Sequence, residues 1–376
     1  MSIQQRVSLK QIARIAKVHH TTVSRALRNR PELPEATRKR IASIAGQLGY
    51  RPDPALSALR AYRGGYSADD GGGGDAEGKG ERKARRTGFS IAFVTAFETA
   101  DAWRSKAVYR RRFEGVEKRA AQLGYGLEHF WYDRSSMSGQ RASQILKARN
   151  VSGLIVAPIQ LASPLDLDWS RFACVTQTFS LQRVKMHIVS NNHLGTLRLA
   201  WSCLRERGYK RIGLAMDRES DVRVGRLWST GALGEMSLEP VRNRVPPHIP
   251  PTLGREAFLR WVDRHKPDAI LTITPHLHLL EWARASGRNI PGDVAFANLD
   301  CLEPTPADGI SGVYQLPDVL GMISVDIVAG LIQRHDMGLP EYPQSILMDG
   351  MWIDGTTTRT TRSSGRAGAL APDSAM

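Results

Sequence analysis

The sequence predicts an α plus α/β protein: a small N-terminal helix-turn-helix head, then a two-lobed body of parallel sheets with helices on both faces. Three observations predict it. The first 50 residues place apolar side chains at helical spacing in three short stretches. A glycine-rich, low-complexity run at 64–86 then interrupts all periodicity. From Phe89 onward, β-type runs alternate with helical ones, and the series restarts midway. The expected organisation is a head with a short hinge helix at 1–63, a linker at 64–86, a body at 87–357 and a disordered tail at 358–376.

In the head, Ser8-Leu9-Lys10-Gln11 has the spacing of a capping box. Leu9, Ile12, Ala13 and Ala16 follow at i, i+3, i+4 and i+7, the stripe of an amphipathic helix. After a break at Lys17-Val18-His19, a second helix from His20 to Leu27 buries Val23, Ala26 and Leu27. Its other face carries His20, Thr21, Ser24 and Arg25, which helical geometry makes neighbours. A third helix opens near Pro34 and runs to Leu48, with Ile41, Ile44, Ala45 and Leu48 facing inward and Gly49 as its stop.

Charge points to the partner of this head. The chain carries a formal net charge of +15, and residues 1–63 hold 13 Lys/Arg against three Asp/Glu. Two thirds of the excess therefore sits in the first sixth of the chain, an electrostatic footprint for a polyanion. A helix presenting small polar groups and one arginine fits a DNA major groove about 12 Å wide, where arginine can pair with guanine through two hydrogen bonds.

Beyond Tyr50-Arg51-Pro52, Asp53-Pro54 combines an N-cap residue with a first-turn proline, which starts a helix. Leu56 and Leu59 lie on one side of it. Read from the residues alone, they pack on the head. The glycines of 64–86 lack the strand before and the Lys-Ser/Thr after that a phosphate loop requires.

In the body, strands are expected at Phe89–Val94, Leu127–Tyr132, Gly153–Ala157, Ala173–Val175, Arg211–Ala215, Ala269–Ile273 and Val294–Ala297. Helices are expected at Tyr109–Leu123, Gly139–Ala148, Leu194–Arg207, Arg255–Arg264 and Leu277–Ser286. Two such series imply two similar lobes across a cleft, with ligands taken at the carboxyl ends of the strands.

Other chemistry is sparse. The three cysteines are far apart and form no zinc or redox spacing, which suits a reducing compartment. No apolar run is long enough for a membrane span, and Met1–Lys10 has no apolar core of a secretion signal, so a cytoplasmic protein without a membrane partner is expected. His276 and His278, and the adjacent His19 and His20, lack a third ligand nearby; surface or groove histidines fit better than a metal site, and no cofactor is expected. No Gly-x-Ser-x-Gly or His-Glu-x-x-His occurs, so no enzymatic constellation is present.

The head closely resembles that of the lactose-repressor (LacI/GalR) family. The resemblance rests on Ala16-Lys17-Val18-His19-His20-Thr21-Thr22-Val23-Ser24-Arg25-Ala26-Leu27, on Thr37-Arg38-Lys39-Arg40-Ile41 and on Leu48-Gly49-Tyr50-Arg51-Pro52. In the body, Asn191-Asn192, Arg207-Gly208-Tyr209-Lys210-Arg211-Ile212, Lys266-Pro267-Asp268-Ala269-Ile270, Ile290-Pro291-Gly292-Asp293-Val294 and Gln315-x-Pro317 resemble the family's sensing domain, which has the periplasmic-binding-protein fold. The stretch 217–253 matches poorly. Lys17 stands where the family usually has glycine, and His19 where it usually has a serine cap.

The resemblance implies a transcription regulator of the repressor type that reads a palindromic operator in double-stranded DNA as a homodimer and responds to a small-molecule effector such as a sugar or sugar derivative. His20, Thr21 and Arg25 take base-reading positions, Thr22 and Ser24 lie near phosphates, and Ser8, His19, Arg28, Leu56 and Leu59 complete the expected DNA-contacting set. For the effector the implied residues are Phe97, Trp103, Asn191, Arg223, Trp228, Pro275 and Asp300. Arg223 matches the arginine that holds a ligand's polar groups, while Trp103 and Trp228 either stack on a ring or belong to the core. Two family carboxylates are replaced, by Asn191 and at Thr274-Pro275. Either the ligand is not a neutral sugar, with negative charge favoured, or the domain has lost its ligand. The competing readings are a small-molecule binding protein without a regulatory role, and an enzyme on an α/β scaffold.

Overall fold

The computed structural model describes residues 9–27, 33–48, 90–159, 165–181, 184–303 and 309–360. The chain divides into two units, within Met1–Gly78 and Lys79–Met376. Ser8, Arg28, Leu56 and Leu59, and with them the hinge helix and the linker, lie outside the described residues.

The head holds α1 (Leu9–Ala16), α2 (His20–Leu27) and α3 (Glu35–Gln47). Ile12, Ala13, Ala16, Val23, Ala26, Ile41 and Ala45 form its buried core, edged by Leu9, Val18, Leu27, Leu33, Ile44 and Leu48. The second helix has the bounds its periodicity predicts. Pro34 caps α3 rather than opening it, its carbonyl accepting from Thr37 and Arg38 at 3.0 and 3.1 Å. The α1–α2 turn depends on Lys17, which adopts φ +52°. A β-carbon strains that left-handed conformation by about 1–2 kcal/mol, which glycine avoids.

The body's first sheet runs β10–β5–β4–β3–β1–β2, all parallel. Its strands are β1 (Ser90–Thr95), β2 (Gly126–Trp131), β3 (Val151–Val156), β4 (Ala173–Thr176), β5 (His187–Asn191) and β10 (Ser345–Met348). The second sheet runs β11–β9–β8–β7–β6, from β6 (Ile212–Leu214), β7 (Ala269–Thr272), β8 (Ala295–Cys301), β9 (Gly312–Tyr314) and β11 (Met351–Ile353). Here β11 pairs antiparallel to β9, a departure from the all-parallel expectation. This last strand arrives directly from β10 of the other lobe, with no helix between them to return the chain.

Helices cover both faces of each sheet. In β1, Ile91 and Phe93 face a cluster containing Val116 of α4 (Ala107–Gln122) and Val325 and Val328 of α11 (Pro317–Arg334). Ala92 and Val94 face Ala142 and Leu146 of α5 (Gly139–Ala148). In β7, Ala269 and Leu271 pack toward α6 (His193–Glu206) and α8 (Leu227–Leu238), whereas Ile270 packs toward α9 (Arg255–His265) and α10 (His278–Ala285). Strands buried on both faces are continuously apolar, which is why they stood out in the sequence.

The chain passes between lobes three times: from β5 to α6, from β9 to α11, and from β10 to β11. The first and third passages are tied together, since Asn192 takes the Met348 carbonyl at 2.7 Å through its backbone and Asp349 at 2.7 Å through its side chain. The described residues continue to Thr360. The Thr357 hydroxyl donates to the Phe296 carbonyl at 2.7 Å, and Thr358 pairs with the Ser311 hydroxyl at 2.7 Å. Among the described residues, no helix is long and apolar enough to cross a membrane.

Helices α4 and α11 cross at two glycines. A β-carbon on Gly115 would overlap the Asp318 carbonyl oxygen, and one on Gly321 the Arg112 carbonyl oxygen. Gly321→Ala is expected to lower unfolding free energy by about 1–3 kcal/mol, because neither backbone can retreat cheaply; denaturant titration checks it. Lys17→Gly is expected to raise the stability of the head by about 1 kcal/mol. An unchanged melting transition of the isolated 1–63 peptide would place the strain elsewhere.

Candidate functional site

On α2, His20, Thr21 and Arg25 are exposed, Thr22 is half-buried, and Ser24 lies on the same helix. Burial of Val23 and Ala26 fixes the rotation of this short helix, so the polar side faces out. Where a serine cap was expected, His19 instead turns its Nδ1 to the Thr21 hydroxyl at 2.9 Å and stacks tilted on His20 at 4.2 Å. Its carbonyl accepts from Thr22 and Val23 at 2.9 and 3.3 Å. The histidine therefore orients a side chain at the helix N-terminus and leaves its backbone to start the helix.

A cavity in the body lies between the lobes, at the carboxyl ends of the strands of both sheets. Its volume is about 110 Å³. Pro158 follows β3, Thr178 follows β4 and Asn191 ends β5, while Ile273 follows β7, Asp300 lies near the end of β8 and Gln315 follows β9. Tyr109 and Arg112 enter from the first turns of α4, His193 from the start of α6, and Ser220 and Arg223 from α7 (Arg218–Arg223).

Local chemistry sets these positions. Asp217 caps α7, accepting from the Ser220 backbone at 2.7 Å. The buried Asp221 accepts from the Ser229 backbone and hydroxyl at 3.0 and 2.6 Å, holding the corner into α8 where Arg226 adopts φ +61°. Asn192 caps α6 through the Gly195 backbone at 2.9 Å and so presents His193.

Of the residues expected at the effector site, Asn191, Arg223, Trp228 and Asp300 line the cavity. Trp103, Phe97 and Pro275 do not. Trp103 is 1% exposed and packs on Phe93, Phe113 and His129, so it belongs to the core of the first lobe. Phe97 sits edge-on behind Tyr109 at 4.9 Å, and Pro275 lies in the turn Thr274–His276, whose Thr274 rather than Pro275 touches Asp300. Sequence reasoning missed Tyr109, Arg112, His193 and Gln315. Arg112 had no signal, because Arg110-Arg111-Arg112 reads as a solvated charge run. In the structure Arg111 instead forks onto Glu303 of the second lobe, and Arg112 points inward.

Arg112 is 5% exposed and has only neutral partners: it donates to the Gln177 carbonyl at 3.0 Å and to Asn191 Oδ1 at 3.2 Å, and its Nε has no partner. Burial lowers its pKa to about 10, with nearby Arg223 acting in the same direction, so it remains charged. Asn191 in turn donates to the Gln315 carbonyl at 2.8 Å, and Gln315 to the Leu299 carbonyl at 2.7 Å. His193 packs edge-on against Trp228 at 4.8 Å, and its Nδ1 has no partner. Burial, then Arg112 and Arg223, push its pKa down to about 3, so its ring is neutral. The Tyr109 hydroxyl donates to the Pro158 carbonyl at 3.0 Å.

Burial raises the Asp300 carboxyl to about 6, against hydrogen bonds from the Thr274 backbone and side chain and the attraction of Arg223 and Arg112. Beside the cavity, Ser220 and Asp217 both approach Nε2 of His276, each at 3.3 Å. A serine nucleophile needs its base oriented through the other ring nitrogen, and His276 Nδ1 has no partner. The trio braces the wall of the cavity.

A raised carboxyl pKa has a definite sign for stability. Between the unfolded value near 4 and the folded value near 6, the unfolded chain ionises first, so stability falls as pH rises. The stability of Asp300→Asn relative to the parent is expected to increase from pH 4 to pH 6 and stay level above. Paired thermal melts check this; a difference independent of pH would assign the effect to packing.

Comparison with known proteins agrees with this architecture. Residues 8–53 match the description "Bacterial regulatory proteins, lacI family", and residues 202–358 match "Periplasmic binding protein-like domain". The chain is 27% identical over 345 residues to the HTH-type transcriptional regulator PtxS of Pseudomonas putida, covering 89% of this chain and 92% of that one. The head alone is 38% identical over 58 residues to the transcriptional regulator TreR of Salmonella typhimurium, covering 15% of this chain and 18% of that one. In fold, the chain is similar to the regulator CelR in complex with cellobiose, at TM-score 0.56 and 18% identity over 94% of this chain and 100% of that one. It is also similar to the lac repressor dimer bound to operator and the anti-inducer ONPF, at TM-score 0.54 and 18% identity over 95% of this chain and 100% of that one. The helix-turn-helix head at 8–53 is thus that of the lacI family of bacterial regulatory proteins, and residues 202–358 form a periplasmic binding protein-like domain.

Proposed function

We propose that this protein is a repressor-type transcription regulator that reads a palindromic operator as a dimer and is controlled by a small molecule, a sugar or sugar derivative, bound between its lobes. The observation that carries this is the pairing of an exposed polar helix α2 on a head of strongly positive charge with a cleft lined from both lobes. The solved relatives support it, one holding cellobiose and another holding operator DNA as a dimer. The reading places DNA contact in 1–63, with the hinge helix reaching the minor groove, a linker at 64–86 and effector binding in 87–357. It assigns the protein no catalytic step.

In this reading Arg25 reads a base edge beside Thr21, four residues away on one helix face. Effector and operator communicate because a ligand that prefers one lobe arrangement shifts the population of DNA-binding dimers, by a typical coupling of about 1–3 kcal/mol.

The test is selection of duplexes from random sequence with the full-length protein, followed by anisotropy titration at fixed salt. A palindromic consensus is expected, and Arg25→Ala is expected to cost about 1–3 kcal/mol and relax preference at one position of each half-site. Unchanged affinity and preference in Arg25→Ala, or recovery of single half-sites only, would reject the assignment.

A further inference from the structure

We propose that the molecule held in the cleft is an anion, a sugar bearing a carboxylate or phosphate group, and that this group bridges Arg112 of the first lobe and Arg223 of the second. The proposal rests on the cleft being the effector site and adds the class of ligand and the residues that select it.

The charge balance of the cavity carries the argument. Arg112 and Arg223 enter from opposite lobes, and the described walls supply one carboxylate, Asp300. Arg112 has no acidic partner, and three of its five N–H donors remain uncommitted after its bonds to Gln177 and Asn191. The Arg223 side chain makes no hydrogen bond or ion pair among the described residues, although the residue lines the cavity. Asp300 is one carboxylate set against two guanidiniums, and a buried cation left without a counter-ion is costly, so one positive charge calls for an anion that the protein itself does not contribute. A planar fork of donors matches a carboxylate or phosphate with two parallel hydrogen bonds.

Asn191 is the residue that leaves Arg112 unneutralised. Its Oδ1 accepts from the guanidinium and its Nδ2 donates to the Gln315 carbonyl, so the amide serves both neighbours where a carboxylate could serve only one. A carboxylate there would pair with Arg112 and close the anion site. The unpartnered Nδ1 of His193, which lines the cavity, remains for a neutral hydroxyl of the ligand's carbon frame.

The bridge also supplies a reason for the lobes to close. Two guanidiniums facing each other repel, and Arg223 is among the groups that disfavour the charged form of Arg112. An anion between them replaces repulsion with two attractions, which exist together only when the lobes approach. The binding energy is therefore tied to one lobe arrangement, the condition for an effector to shift an equilibrium.

The experiment is calorimetry on the full-length protein without DNA, using D-glucose, D-glucuronate, D-gluconate, D-glucose 6-phosphate and inorganic phosphate. Because no DNA is present, a failed operator assignment would leave the result unaffected. At least one anionic sugar is expected to bind about tenfold or more tighter than glucose, weakening with salt; the sugar acids against the sugar phosphate decide which group is held. Asn191→Asp and Arg223→Met are each expected to weaken that anion about tenfold or more, and scattering should show contraction of the parent protein on binding. Arg223→Met lies in the cavity wall and keeps the test open if Asn191→Asp does not fold. Glucose binding as tightly as every anion, no binding by any anion, or anion affinity indifferent to the folded variants would overturn the proposal.

Discussion

Everything in the cleft is arranged around one buried amide. Asn191 ends the last strand before the chain leaves the first lobe, donates to the Gln315 carbonyl where the chain returns, and accepts from Arg112. The next residue, Asn192, binds the third passage at Met348 and Asp349 and caps α6. Two consecutive asparagines therefore tie all three inter-lobe passages together. An amide carries both a donor and an acceptor, so one side chain can satisfy a carbonyl and a guanidinium at once without adding charge.

The electrostatics of the cleft follow from the same choice. With a neutral residue at 191, Arg112 is a buried cation without an ion pair, and burial, then Arg112 and Arg223, depress the pKa of His193. Asp300 stands against two guanidiniums, and its own burial works against its ionisation. At the edge of the lobes, Arg111 and Glu303 make a more exposed ion pair between them, and such pairs are worth about 0–1 kcal/mol. An adjacent pair of arginines on α4 thus divides the labour, one joining the lobes at solvent and one facing the ligand space. The tight α4–α11 crossing at Gly115 and Gly321 fixes where that pair emerges.

The two halves of the protein differ in how their function is built. In the head, a single helix face is sufficient, because burial of Val23 and Ala26 leaves His20, Thr21 and Arg25 no other direction. In the body, the site is assembled from segments up to about 200 residues apart in sequence, between Tyr109 and Gln315. Local pattern is adequate for the first and inadequate for the second.

That contrast decides what was legible. The sequence by itself determined the helix bounds of the head, the strands β1–β4 and β6–β8 within a few residues, and the family to which the head belongs. Period 3.6 and continuous apolar runs are local properties that survive without coordinates. It did not show α11, whose half-buried Val319, Met322, Ile323 and Ile327 are apolar as well and blur the stripe that its buried residues form, nor β5, whose first residues are only half-buried. It placed Asn191, Arg223, Trp228 and Asp300 at the cleft, but it offered Trp103 as a ligand platform when packing against Phe93 and Phe113 makes it core. Only the tertiary structure revealed Arg112. An arginine in a run of three has the same sequence signal whether it meets water or a cavity, and what separates the two is the side of α4 that the Gly115–Gly321 crossing leaves facing the second lobe.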